Sequence, residues 1–115
     1  MASTITSVYT RTSTDDDFPK LSDHNSTFDT WRRQYFTDNG VDIAFSLSSD
    51  QLTLTVTIEH DNDASYENYK TARNANADYD ASAFNTWIVN ATSGDIGLTV
   101  TWVNDAGASS QLWPE

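Results

Sequence analysis

Cysteine is absent from this 115-residue chain, so disulfides, thiolate metal sites and thiol nucleophiles are excluded. Basic side chains are scarce: Lys20, Lys70, Arg11, Arg32, Arg33 and Arg73 stand against 17 acids, for a formal net charge of −11. Such a surface repels phosphate backbones, which argues against nucleic acid or an anionic membrane as partner. No apolar run approaches the roughly 20 residues of a membrane-spanning helix. The opening MASTITSVYT has neither the basic nor the apolar stretch of a secretion signal, so secretion is not expected. Without such a signal, the sequons at Asn25-Ser26-Thr27 and Asn90-Ala91-Thr92 are read as coincidence. Gly40, Gly94, Gly97 and Gly107 are the only glycines, and none opens a G-x-G-x-x-G phosphate loop. No serine lies in a G-x-S-x-G elbow either. No cofactor is implied. The length suits one domain, read as residues 1–104 with a tail over 105–115.

What the chain does have is alternation. Leu52, Leu54, Val56 and Ile58 are separated by Thr53, Thr55 and Thr57, a period of two that predicts a strand with one aliphatic and one hydroxyl face. Val41, Ile43, Phe45 and Leu47 repeat the pattern just upstream. The short Ser48-Ser49-Asp50-Gln51 connection makes the two an antiparallel hairpin. Ile96, Leu98, Val100 and Trp102 predict a last strand, and the β-branched run over 3–12 a first one. In that first strand Ile5 and Tyr9 oppose Val8, which leaves the buried face undecided.

Between these runs the period lengthens. Phe28, Trp31, Tyr35 and Phe36 share one helical face, with Ser26 and Asp29 resembling a capping box and Gly40 as the stop. Tyr66, Tyr69 and Ala72 mark a further helical stretch, and Tyr79, Ala83, Phe84, Trp87, Ile88 and Ala91 a stronger one ending at Gly94. Any break between them falls at Asn74–Asn76. The order β-α-β-β-α-β predicts an α+β, ferredoxin-like domain: a four-stranded antiparallel sheet with its helices on one face. Its strand aliphatics bury against Trp31, Tyr35, Phe84 and Trp87.

The element order over about 41–103, with SYENYKTAR following the polar end of a strand, resembles the dimeric α+β-barrel branch of ferredoxin-like proteins. That resemblance implies a small enzyme or ligand-binding protein using the open sheet face. Here, however, that face carries Asp42, Ala44, Ser46, Thr53, Thr55, Thr57, Glu59, Thr99 and Thr101, the reverse of an apolar pocket. VYTRTSTDDDFP and the Asn/Thr/Ser-rich, Lys-poor style are similar to small virion proteins of tailed bacteriophages. This second resemblance implies a non-enzymatic structural module that acts by assembling with protein subunits, its own or others.

Candidate sites are few. His60, between Glu59 and Asp61, suits a proton shuttle or metal ligand, but His24 does not complete a ligand set by spacing; a surface or capping role is the reading taken. Glu59, Asp61, Asp63 and Glu67 form an oxygen-rich cluster without EF-hand spacing, read as acids at a helix N-terminus rather than a calcium site. Asp15, Asp16 and Asp17 make a solvated acidic loop that suits a basic patch on a partner. Leu112 and Trp113 form an apolar tip for capping the domain or docking on a neighbour. Arg32 and Arg33 are expected to flank the Trp31 stripe and pair with nearby acids.

Overall fold

β1 (Ser3–Arg11) occupies the middle of an antiparallel sheet, paired on one side with β3 (Thr53–His60) and on the other with β4 (Ile96–Asn104). Strands β2 (Asp42–Leu47) and β5 (Gly107–Gln111) form the edges, giving the order β2-β3-β1-β4-β5. Helices α1 (Leu21–His24), α2 (Ser26–Asn39), α3 (Asp63–Asn74) and α4 (Ala81–Ala91) complete an α+β architecture. The computed structural model describes residues 2–15, 17–104 and 107–111.

Register decides the faces. Ile5 lies opposite Ile58, and Tyr9 opposite both Leu54 and Leu98, so the odd-numbered residues of β1 join the aliphatic side of its neighbours. Val8 falls on the other side with the threonines. The buried face of β1 therefore also holds Ser3, Ser7 and Arg11, which hid its period in the sequence. Buried polar groups need partners. Ser3 Oγ donates to Asp63 Oδ1. Arg11 Nε donates to the Gln51 carbonyl at 2.9 Å, and its guanidinium lies 4.1 Å over the Phe18 ring.

All four helices lie on one side of the sheet, where side chains from α2, α3 and α4 supply the core. One cluster joins Phe36, Tyr66 and Tyr69 to Ile5, Ile58 and Val100; a second joins Phe84 and Ile88 to Tyr9 and Ile96. Each longer helix starts on a side-chain cap. Asn25 accepts the Phe28 N–H, Asn62 that of Ser65 and Asp80 that of Ala83. Gly40 closes α2 at φ 66°, the left-handed conformation.

The structure departs from the sequence reading at several points. The sheet has five strands rather than four, because Gly107–Gln111, placed in the tail, pairs with β4. GASSQ has no apolar alternation, so nothing in it announces a strand. The cap of α2 is Asn25 rather than Ser26, and the short α1 before it was not foreseen. Trp31, Tyr35 and Trp87 are half-buried, and the centre of the core belongs to Phe84 together with Phe28, Phe36, Tyr66 and Tyr69. On β2, Ile43 packs against the core, but Phe45 and Leu47 are 58% and 50% exposed on the edge strand.

Candidate functional site

On the helix side of the sheet lies a cavity of about 240 Å3. Ser7 and Tyr9 of β1 and Leu54 and Val56 of β3 supply sheet residues to it, Phe45 of β2 lies at its exposed rim, and Phe84 of α4 and the Phe18–Ser22 segment also line it. Helix α2 contributes Asp29, Arg32 and Arg33. Positions i, i+3 and i+4 share a helical face, so one turn of α2 brings these three charges together.

Asp29 is the shared anion. Its Oδ2 accepts from Arg33 Nε at 2.9 Å, while its Oδ1 sits at a longer 3.4 Å from Arg32 Nη2. Arg32 is the more enclosed of the two arginines, its side chain 11% exposed against 54% for Arg33. A guanidinium carries five N–H donors, and the Nε of Arg32 is buried with no hydrogen-bond partner. Burial pushes the Tyr9 phenol above its ordinary pKa, with the Arg32 charge pulling it partly back, so Tyr9 stays a protonated donor at neutral pH. Lys20 also lines the cavity. Three of the six basic side chains of an acidic chain thus meet at one site beside a single carboxylate. Chemically, the arrangement pairs an apolar floor with an under-satisfied cation, which suits a small molecule that is apolar at one end and anionic at the other.

No family model, curated protein or solved structure matches this chain. The functional reading therefore rests on its own residues.

The residues singled out from the sequence do not converge here. His60, read as a surface or capping side chain, is 1% exposed and enclosed by the rings of Phe36, Tyr66 and Tyr69 at centroid distances of 6.1, 5.4 and 5.9 Å. Its Nδ1 lies 3.2 Å from Ser65 Oγ and its Nε2 has no hydrogen-bond partner. Burial lowers its pKa from the ordinary 6.5 to about 4, against an opposing pull from Asp61. Asp63 accepts from Ser3 and Glu67 pairs with Lys70 at 3.1 Å, while Glu59 and Asp61 are exposed. Among the described residues no three His, Asp or Glu side chains gather as they would around a metal. Asp15 and Asp17 are exposed; Asp16, Leu112 and Trp113 lie outside the described residues. The pairing expected of Arg32 and Arg33 is present, both meeting Asp29. What the sequence did not disclose is that Arg32 also shares a cavity with Tyr9 and Ser7. The one available signal was the Asp29-x-x-Arg32-Arg33 spacing beside the apolar face of α2.

Proposed function

We propose that this chain is a non-enzymatic structural or interaction module that works by assembling with other protein subunits, a second copy of itself included. The observation that carries this reading is the uncovered face of the sheet. Thr4, Thr6, Val8, Ala44, Ser46, Thr53, Thr55, Thr57 and Thr99 lie on it half-buried or exposed, with Asp42 and Glu59 opposite each other at one end. A face meant for water on a chain of charge −11 is expected to carry acids across its middle, and this one is uncharged there. Flat faces of small hydroxyl and methyl groups suit sheet-on-sheet packing, with threonines pairing across the contact.

We read the order β2-β3-β1-β4, with helices on the opposite side, as the ferredoxin-like arrangement carrying one added edge strand. A small bacteriophage virion component is the setting the sequence style suggests, with protein rather than nucleic acid or membrane as partner. Among the described residues no helix is long and apolar enough to cross a membrane. The alternative, an α+β-barrel enzyme or ligand binder using the open face, has less support because the cavity lies on the other side of the sheet.

Light scattering of the full chain over a range of concentration and salt tests the proposal. Wild type is expected to associate, more strongly as salt screens the net charge, while Thr55→Glu weakens association at least about tenfold by opposing two carboxylates at the centre of the contact. A wild type that stays monomeric at about 1 mM in high salt, or a Thr55→Glu variant that associates equally well, overturns it.

A further inference from the structure

The cavity under α2 lies on the side of the sheet away from the assembly face, and its lining is of a different character. The geometry points to a binding site for a small monocarboxylate with an apolar tail, the carboxylate meeting Arg32 and the tail lying over Leu54, Val56 and Phe84. Two independent observations carry this. The first is the unpartnered Nε of Arg32, in a side chain 11% exposed whose one ion pair among the described residues is the long 3.4 Å approach to Asp29. Asp29 already gives its other oxygen to Arg33 at 2.9 Å, so the pair leaves donor capacity on Arg32 unmet. A buried charged donor without a partner is unfavourable, and an incoming carboxylate oxygen would relieve it.

The second observation is charge and shape. The cavity gathers Lys20, Arg32 and Arg33 against one acid, locally cationic in a chain whose net charge is −11. Its volume of about 240 Å3 equals about eight waters at roughly 30 Å3 each. That suits a molecule of about ten non-hydrogen atoms and is too small for a nucleotide or a haem. Ser7, with its small side chain, helps leave the space open between Ile5 and Tyr9 on β1. Tyr9, held protonated, offers a second donor at the same wall. Phe45, half-exposed at the rim, is placed to cover the tail.

Titration calorimetry of the full chain with octanoate, and in parallel with 1-octanol, tests the assignment. Octanoate is expected to bind one to one with a Kd between about 10 μM and 1 mM, and 1-octanol at least about tenfold more weakly for want of the charge. Arg32→Gln is expected to weaken octanoate at least about tenfold and leave 1-octanol nearly unchanged. Leu54→Trp, which fills the cavity from the sheet, is expected to weaken both. If Arg32→Gln fails to fold, the comparison of the two ligands and the Leu54→Trp variant decide. No saturable octanoate binding up to about 10 mM, equal affinity for the two ligands, or undiminished binding to a folded Leu54→Trp protein overturns the proposal. None of these outcomes depends on whether the chain assembles.

Discussion

Acidification should destabilise this protein through His60, and the size of the effect can be worked from its surroundings. The ring is 1% exposed among Phe36, Tyr66 and Tyr69, so its charged form is disfavoured in the folded state and its pKa falls from 6.5 to about 4. In the unfolded chain the same ring takes up its proton near pH 6.5. Between the two values the unfolded state binds more protons, so stability rises with pH across that window. The contribution is complete above about pH 6.5, is lost as pH falls towards 4, and changes no further below that. A shift of about 2.5 pKa corresponds to about 3.4 kcal/mol, of which about 2.5 kcal/mol is lost between pH 7.5 and 4.5. Because exposed Glu59 and Asp61 flank His60 at the end of β3, solvent screening reduces this to about 2 kcal/mol, the pull of Asp61 being already contained in the value of about 4. His60→Phe removes the titration while keeping a ring in the aromatic cage. Urea unfolding followed by tryptophan fluorescence at intervals from pH 4.5 to 7.5 should show wild type losing about 2 kcal/mol more than the variant, the carboxylates common to both cancelling. Parallel profiles, or a His60 ring that titrates near pH 6.5 by NMR, would refute the reasoning.

Two further outcomes follow from the helix ends. Asn25→Ala removes the α2 cap at Phe28 and the donation from Asn25 Nδ2 to the Asp78 carbonyl, and should lower stability by about 1–2 kcal/mol in chemical unfolding. Gly40→Ala should cost about 1 kcal/mol from backbone strain alone, since φ is 66° and a Cβ there meets nothing within 4 Å; a Gly40→Asn variant that is no better than Gly40→Ala would count against that explanation.

The parts of the fold visible in the sequence are those whose side chains alternate without interruption. The β2–β3 hairpin was legible because Val41 to Ile58 keeps one period across a short polar turn, and β3 pairs with β2 in the register that period requires. α3 ends at Asn74 and α4 begins at Ala81, so the break expected at Asn74–Asn76 opens there but runs on to Asp80. β1 was harder, because its buried face mixes Ile5 and Tyr9 with Ser3, Ser7 and Arg11. Ser3 and Arg11 are accommodated by Asp63 at the start of α3 and by the Gln51 carbonyl in the β2–β3 turn, contacts that no local pattern can foretell. His60 failed for the same reason: its acidic neighbours in sequence suggest a wet site, and its neighbours in space are three rings. Phe45 and Leu47 show the converse, apolar alternation on an edge strand where the side chains stay exposed. The Arg32 cavity combines all these difficulties, since its floor comes from strands far apart in sequence and its charge from one turn of α2 together with Lys20.

The central place of β1 governs how the sheet can form. Thr4 is matched with Glu59 on one side and Val103 on the other, so β1 must wait for partners that both come much later in the sequence. The β2–β3 hairpin can close early, from neighbours a few residues apart, but it offers β1 only one flank. Pairings of such long sequence separation slow folding, because the entropy of closing the loop is lost before the contacts repay it. Until both pairings form, the threonine and valine run of β1 has neither backbone edge matched, which is what makes a central first strand depend on the rest of its sheet.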